Sequence, residues 1–398
     1  AGCSAEELNA VFEKQEDVKE AKSIDLTQNI MRFNTCIALF GRFKLEVPYS
    51  LAAQVFLGQV SQGNGSELYN GSLYRALTTK IPWIYYGESK SGGDYVFSYR
   101  NSFEAELFLI RNHISGAEQV ETVCNLLEMY GSYYHKNGYS MNEYLGTNLQ
   151  QMIRLMGPNS QYPPFHKDEQ GMWKSILCHI DKIILALHKL CEEYKIPDED
   201  AGFATLLITF TREYYGRKWE ELHLDSTGIC QDKNYEERIQ KIQEISVHAD
   251  RWRDHLDTLI DPGNYRDPRT RHLIDQRNGL SVELAQCNIV AKQLQRELNQ
   301  SIDNEQNRSC TKQNSSFIEY PAIYKILSRI ILENPNNGHA YNTLFSAFEE
   351  EYEHGNLNEA TKLRYLTEIK LIADDCINLD VQNRGSEDHN EIREHLSR

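Results

Sequence analysis

The sequence lacks the features that mark membrane proteins and disulfide-stapled secreted proteins. No stretch of its 398 residues approaches the roughly 18 apolar residues of a membrane-spanning helix. Its nine cysteines are scattered and include no Cys-x-x-Cys pair, which favours reduced thiols in a cytoplasmic protein. Basic residues are also scarce, with 42 Lys and Arg against 58 Asp and Glu, and the net charge is −16. Because affinity for phosphate backbones comes mainly from Lys and Arg, nucleic acid is an unfavourable partner.

Catalytic signatures are missing as well. The sequence contains no HExxH, GxSxG or Cys–His pattern of a nucleophile. A glycine-rich segment, GESKSGGD at residues 87–94, has two glycines at the spacing of a phosphate-binding loop, Gly87 and Gly92. The Lys and hydroxyl residue that should follow are replaced by Gly93 and Asp94, and a strand pattern follows in place of a helix. We therefore predict a flexible hairpin turn here and find no catalytic residues in this chain.

Two groups of polar residues were considered as a metal site or an acid–base site. His188 and Cys191 lie three residues apart on one predicted helix, which also contains Cys178. Tetrahedral zinc usually takes paired Cys or His ligands from two segments, so we interpret these residues as core or half-exposed. The adjacent acids Glu192 and Glu193 are more typical of a solvated helix face than of a catalytic pair, whose carboxyls converge from separate segments. We expect no metal or cofactor to be held by this chain.

The first part of the chain has the pattern of three short helices followed by a β-hairpin. The segments DLTQNIMRFNTCIALFGRF, VPYSLAAQVFLGQ and ELYNGSLYRALTTK predict the helices, with Pro48 in the first turn of the second. The aromatic, β-branched runs IPWIYYGE and DYVFSYR are typical of paired strands. This is the order of a winged helix. We predict such a domain over residues 24–115, preceded by a linker helix over residues 1–23.

The aromatic residues of the hairpin allow two interpretations. They could stack on bases beside a basic groove, or they could pack against one another across the strands. The third helix, which would read DNA, holds only Arg75 and Lys80 as cations. We therefore favour cross-strand packing. The residues concerned are Tyr85, Tyr86, Tyr95, Phe97 and Tyr99.

The rest of the chain is predicted to be helical. A helical connector over residues 116–165 ends at the proline-containing segment GPNSQYPPFHKDE, which breaks the pattern. Beyond it, helix pairs recur at roughly the spacing of α-solenoid repeats, and we predict a TPR-like helical-repeat domain over residues 166–398. The fold class predicted is mainly α, a winged-helix domain with one β-hairpin followed by a TPR-like α-solenoid. Residues of the last pair fall in the order of a tetratricopeptide unit: Tyr341, Leu344, Phe348, Gly355 and Ala360.

The junction between the second strand and the next helix contains the candidate site residues. Asn101 is a favoured N-cap residue, and Glu104 three positions later completes the pattern of a capping box. Arg100 precedes them at the end of the strand. One interpretation is a contact between domains made by Arg100, Asn101 and Glu104. The other is a strand end followed by a helix cap, and the sequence leaves both open.

Two segments of the predicted winged helix carry a more specific resemblance. They are Phe40–Pro48, within ALFGRFKLEVPYSLAAQVFL, and Arg100–Glu106, within YVFSYRNSFEAELFL. Together they resemble the winged-helix region of bacterial STAND NTPases, the signal-transducing ATPases of Avs-type antiviral immune systems. In that family a helix pair with an "fgl.vP" motif leads to a hairpin and then to a helix with an "RN..EAE" motif.

Two later segments extend the resemblance. MIRLMGPNS (Met152–Ser160) and LITFTREYYG (Leu207–Gly216) are similar to elements that follow in the family, although Ile208–Thr209 replace a Glu-Ala pair. The resemblance covers residues 24–216 by motif. It covers residues 217–398 only by their helical-repeat character.

The resemblance implies a sensor function. The P-loop and Walker B segments of the ATPase are absent from this sequence and would lie upstream, so the chain would be the C-terminal sensor portion of such a protein. ATP and Mg²⁺ would be held by the upstream ATPase, and an N-terminal effector, such as an NAD hydrolase or a nuclease, would precede it. The repeats would bind a phage protein of the portal or terminase type. Binding would trigger oligomerisation, typically into tetramers, and activate the effector.

The sequence also allows a function of a different class from the antiviral sensor. A STAND- or TPR-type transcriptional regulator, or a repeat scaffold, would use the winged helix on DNA and the repeats on a regulatory peptide. The acidic balance of the chain argues against this alternative.

Overall fold

The structure, a computed structural model, describes the chain in segments that fall into two compact units, residues 1–196 and 197–398. The predicted linker helix over residues 1–23 and the third predicted helix lie outside the described residues, as does the turn between the hairpin strands. The described residues are 26–49, 51–52, 55, 84–88, 95–137, 143–157, 176, 178–193, 201–217, 219–223, 233–261, 263–264, 266–305, 319–355 and 357–382.

The first unit combines helices with a small sheet, in the order helix, short strand, strand pair and helices. Apolar residues at helical spacing lie on the buried faces of its helices. Segments that contain Pro or are rich in Gly lie between its elements. Its elements are α1 (Leu26–Arg42), β1 (Val47–Pro48), β2 (Ile84–Glu88), β3 (Tyr95–Tyr99), α2 (Ser102–Arg111), α3 (Gly116–Asn137), α4 (Glu143–Met156) and α5 (Ile180–Glu193).

The sheet is antiparallel, with strand order β1–β3–β2. The predicted pairing of the two aromatic strands is confirmed, since Tyr86 lies opposite Phe97. On the other side of β3, Val47 also lies opposite Phe97, and Pro48 pairs with Val96. The placement of Pro48 in a helical turn was therefore wrong. Proline lacks an N–H donor, and an edge strand is the position in a sheet that tolerates this.

Aromatic side chains fill the space between the sheet and α1. The ring of Phe97 is fully buried, and its centroid lies 5.3 Å from that of Phe33 on α1. The rings of Tyr86 and Tyr49 lie 5.1 and 5.8 Å from Phe97, and Tyr86 stacks on Tyr95 at 5.3 Å. The structure thus supports the packing interpretation of the hairpin aromatics, because these rings contact one another across the strands.

The helices of the first unit pack around α1 and α3. α1 packs against α2 and β3, and α5 packs along α3. The side-chain amide of Asn148 on α4 donates to the carbonyl of Glu46, 3.0 Å away, and this fixes α4 beside the start of β1.

In the described residues of the second unit, all regular secondary-structure elements are helices. A five-residue π-helical segment, π1 (Glu213–Arg217), directly continues its first helix. Its elements are α6 (Gly202–Arg212), π1, α7 (Trp219–Leu222), α8 (Tyr235–Leu259), α9 (Pro268–Glu305), α10 (Tyr320–Glu333), α11 (Gly338–His354) and α12 (Glu359–Gln382).

The 38-residue helix α9 is the centre of the second unit. It packs along α8 and also contacts α6, α10 and α11. The middle of α9 shares an apolar core with the last three helices. The buried members of this core are Val282, Ala285, Ile289, Ile323, Leu327, Ile330, Ala340, Leu344, Ala347, Phe348 and Tyr365.

The prediction of a mainly α protein with a small antiparallel β element is confirmed. Among the described helices, none combines the length and apolar character needed to cross a membrane. The predicted break between α11 and α12 is also found, with Gly355 at the C-cap of α11. The winged helix, the TPR-like solenoid and the boundaries of the four predicted segments stay predictions.

Candidate functional site

The three predicted site residues lie together where β3 passes into α2. Asn101 is the N-cap of α2 in an extended conformation, and its side-chain oxygen accepts a hydrogen bond from the backbone N–H of Glu104 at 2.9 Å. Arg100 is exposed, and Glu104 is half-buried in the first turn of the helix. The predicted cap is confirmed, and the contact between domains stays a prediction.

Helix α2 also exposes an apolar stripe beside these residues. Phe103 and Ile110 are 53% and 43% exposed, and the half-buried Leu107 lies between them at helical spacing. On the opposite side of the helix, Phe108 and Ala105 are completely buried. We call the surface formed by Arg100, Asn101, Phe103, Glu104, Leu107 and Ile110 the α2 face. In the segment SFEAELFLIR, apolar residues occur on more than one side of the helix. This pattern in the sequence could have indicated an exposed apolar stripe.

A buried ion pair fixes the other side of α2. The Arg42 guanidinium, at the end of α1, donates through Nε to Oε2 of Glu106 at 2.5 Å and through Nη2 to Oε1 at 3.3 Å. Its Nη1 donates to Oε1 of Gln119 on α3 at 3.0 Å. All three residues are nearly inaccessible to solvent, at 1–2% exposure. Burial lowers the pKa of Arg42, and the charge and hydrogen bonds of Glu106 oppose that shift.

This ion pair joins two segments of the predicted winged helix that lie far apart in the sequence. Arg42 belongs to Phe40–Pro48, and Glu106 belongs to Arg100–Glu106. The motif residues therefore meet in one interior contact although they lie 64 positions apart. Sequence reasoning missed this role because both residues lie on helices and look like ordinary surface charges. Their positions on otherwise apolar helix faces were the available signal.

A second buried charge centre lies in the second unit. Arg212, the last residue of α6, donates to Oε1 of Glu213 at 2.9 Å and to Oε2 of Glu283 on α9 at 2.7 Å. The other Glu283 oxygen lies 3.2 Å from Nε2 of His339 at the start of α11. His339 is 44% exposed by side chain, so the network runs from the interior to the surface. It connects three helices of this unit.

The electrostatics of this second centre are dominated by Glu283. Burial alone would raise the pKa of Glu283, but the Arg212 charge and hydrogen bonds from His339 and Thr209 outweigh it, and the pKa falls to about 2. For Arg212, burial lowers the pKa, but the charges of Glu283 and Glu213 more than compensate, so its pKa is raised. Both groups are therefore held in their charged forms at neutral pH.

The π-helical segment next to this centre is held by another buried arginine. The Arg238 guanidinium, on α8, donates to the backbone carbonyls of Tyr215 and Gly216 at 2.7 Å each, and to that of Lys233 at 3.1 Å. Helix α9 also approaches closely, since a Cβ atom on Gly216 would lie 2.6 Å from Cγ1 of Val290. The segment TREYYG (residues 211–216) thus forms a packed structural turn. Short π-helical segments often accompany functional sites, but these contacts are all structural.

The cysteines and histidines considered for metal binding lie on or beside α5. Cys178 and His188 are exposed, and Cys191 is half-buried. Within the part of the chain that the structure describes, no three His, Cys, Asp or Glu side chains are arranged to hold a metal ion. Burial raises the pKa of Cys36 and of Cys287 to about 12, so neither thiol is a nucleophile at neutral pH.

Comparisons of the chain with protein-family models, with curated proteins and with solved structures give no significant match. The arguments about function therefore depend on the residues themselves. Of the surfaces described, the α2 face is the one that contains all three predicted site residues.

Proposed function

We propose that this chain is the C-terminal sensor region of a cytoplasmic antiviral STAND NTPase. In this proposal the first unit contains the winged helix and contacts an upstream ATPase domain that holds ATP and Mg²⁺. The second unit contains TPR-like repeats and binds a phage protein of the portal or terminase type. Binding drives assembly, into a tetramer as is typical of the family, and the assembly activates an N-terminal effector such as an NAD hydrolase or a nuclease.

One observation carries the proposal. The two segments with the family motifs, separated in sequence, are joined by the buried Arg42–Glu106 pair. Leaving either charge buried without its partner is strongly destabilising, so the pair ties the two segments to each other. Around this contact, α1 and the strand pair correspond to the first helix and the hairpin of the predicted winged helix, and α2 is the helix predicted to follow the hairpin.

The α2 face supports the predicted contact with the upstream domain. Exposed apolar side chains beside charged ones are typical of surfaces that bind another protein. Here Phe103 and Ile110 lie beside Arg100 and Glu104, on the side of α2 opposite its buried face. The structural role of Asn101 as a cap does not exclude this, because the cap uses its side-chain oxygen and leaves the exposed stripe accessible.

The second unit supports the predicted ligand-binding role through its architecture. Successive helices α8 to α12 pack on their neighbours along the chain, and helical repeats recognise extended shapes through many modest contacts. A ligand that binds the assembled conformer more tightly shifts the population toward it by that difference in affinity. The negative net charge favours a ligand with basic patches.

The test uses the full-length protein that contains this chain, in phage-infected cells and with purified portal and terminase proteins. We expect saturable binding of one such protein and a ligand-dependent increase in oligomeric state. Phe103→Glu should abolish assembly while binding to the isolated phage protein stays unchanged. Leu185→Glu on α5 is the matched control, since Leu185 is 71% exposed in the same unit but outside the α2 face.

Two results would contradict the proposal. The first is the absence of any change in oligomeric state or effector activity on infection. The second is normal assembly of the Phe103→Glu variant with intact folding, which would remove the α2 face from the mechanism. Salt-sensitive binding of the chain to duplex DNA would instead support the regulator alternative.

A further inference from the structure

Helix α12 has two different faces, and the residues that the structure describes cover only one of them. Tyr365 is 8% exposed and packs with its ring 5.7 Å from Tyr324 and 5.4 Å from Phe348. On the far side of the helix, Leu363 and Leu366 are 67% and 46% exposed. An apolar pair of this kind at the surface of the last described helix indicates a partner.

The exposed leucines belong to a regular stripe. Glu359, Leu363, Leu366 and Lys370 follow one another at intervals of four, three and four residues, and all four are exposed. With about 3.6 residues per turn, this spacing places them along one line of the helix, which is the geometry of a coiled-coil seam. We call these four residues the α12 seam. The centre of the seam is apolar, and its two ends carry opposite charges.

The residues that follow α12 in the sequence offer little to cover this seam. Residues 383–398 are mostly polar, and their large apolar side chains are Ile392 and Leu396. Glu359 has one recorded ion-pair partner, Lys362, whose Nζ is 4.0 Å from its carboxylate. Glu359 is 94% exposed, so that contact is weak and leaves the carboxylate open to a second cation.

The α12 seam is complementary to itself. If two copies of α12 run antiparallel about a two-fold axis between residues 364 and 365, Leu363 lies opposite the partner's Leu366. In the same register Glu359 lies opposite the partner's Lys370, and the contact is repeated by symmetry. Like charges are kept apart, since Lys362 faces the partner's Thr367. A two-fold interface requires this kind of matching, in which residue i meets residue j and j meets i.

We propose that the α12 seam is a docking surface for a second copy of this chain, which binds through antiparallel pairing of α12. The leucines supply the apolar centre, and the two Glu359–Lys370 pairs fix direction and register. A single helix pair buries a small area, so the dimer is weak and reversible. This inference depends on the seam alone and is independent of the proposed phage ligand.

The first test is self-association of the purified 398-residue chain, measured by sedimentation velocity over concentrations from about 1 to 500 µM, the range suited to a weak interface. We expect a monomer–dimer equilibrium in the wild type. Leu363→Glu should raise the dissociation constant by more than about tenfold, because it places a charge in the apolar centre on both copies. Leu332→Glu on α10 is the matched control, since Leu332 is 82% exposed and lies off the seam.

The second test is a charge-reversal cycle. Glu359→Lys alone and Lys370→Glu alone each place like charges opposite one another, and each should weaken the dimer by about two- to tenfold. The double variant restores opposite charges and should recover the wild-type dissociation constant. In a parallel pairing Glu359 would face Glu359 and Lys370 would face Lys370, so like charges would oppose one another in the wild type and in every variant, and the single substitutions would not weaken the dimer. Both substitutions are at exposed positions, and circular dichroism of the three variants checks that folding is unchanged.

Three results would overturn the proposal. They are a monomeric wild type over the whole concentration range, a dimer unaffected by Leu363→Glu, and a double charge variant that stays as weak as the single ones. A monomer that begins to associate only after removal of residues 383–398 would show that the tail occupies the seam. That result also overturns the pairing of two copies as the native state.

Discussion

The two units of the molecule bury their charges in different ways. In the first unit, Arg42 and Glu106 form a closed pair with 1% and 3% side-chain exposure. In the second unit, Arg212 is shared by two carboxylates, and the network continues through Glu283 to the half-exposed His339. The first arrangement fastens helices that are distant in sequence. Each arrangement joins three helices, but only the second leaves one end accessible to solvent.

The difference shows that the cost of a buried charge depends on its neighbours. A closed pair can in principle be replaced as a whole by apolar residues at little cost, because both charges are removed together. Loss of an arginine that two carboxylates share has a larger cost, because it leaves more than one carboxylate in the interior without a partner. We therefore expect the second unit to be the more sensitive of the two to a single arginine substitution.

The largest expected effect tests this comparison directly. Arg212→Met should lower the free energy of unfolding by about 3–5 kcal/mol or more, since both Glu213 and Glu283 lose the guanidinium that they contact. Arg42→Met should cost about 3–5 kcal/mol, since one carboxylate is left. Chemical denaturation measures both values. The double variant Arg42→Met/Glu106→Met is the control and should be closer to the wild type than Arg42→Met. A smaller cost for Arg212→Met than for Arg42→Met would reverse the comparison.

The next effect concerns the pH dependence of the second unit. The pKa of Glu283 falls from an ordinary 4.5 to about 2 on folding, so the unfolded chain takes up the proton first as pH falls. The stabilisation is fully present above about pH 5 and is lost as pH falls toward about 2. Unfolding free energies of the wild type and of Glu283→Gln, measured from pH 7 to pH 3, should therefore converge at the acid end. A difference independent of pH would contradict the assignment.

The smallest effect compares two glycines of the second unit. Gly216→Ala should destabilise by about 1–3 kcal/mol, because the new methyl group meets Cγ1 of Val290 at 2.6 Å. Gly279, inside α9, has no atom within 4 Å of an added Cβ, and Gly279→Ala should stabilise by about 0.5–1 kcal/mol. Thermal unfolding of the two variants shows whether each substitution lowers or raises the stability. Equal effects would mean that the close approach of α9 to π1 is not rigid.

Much of the secondary structure was predictable because it depends on local patterns. The helical spacing of residues 26–42 gave α1, and the aromatic runs gave β2 and β3 with their antiparallel pairing. The cap at Asn101 was predictable because a cap involves residues only three positions apart. Strand β1 was missed, since two residues carry no periodicity and its pairing with β3 is not local.

The candidate site was predictable only in part. Arg100, Asn101 and Glu104 were found by their cap pattern, but the exposed stripe of Phe103, Leu107 and Ile110 was not. An apolar helix residue looks the same in sequence whether it is buried or exposed. Which side of α2 is covered is decided by the packing of α1 on the other side.

By itself, the sequence determined the mainly helical class, the strand pair and the cap of α2, because hydrophobic periodicity and capping act over a few residues. Only the tertiary structure decided which charges are buried, that Arg42 meets Glu106 and Arg212 meets Glu283, and which face of α12 stays open. The physical reason is that burial and ion pairing depend on distances between residues far apart in the chain, which no local pattern encodes.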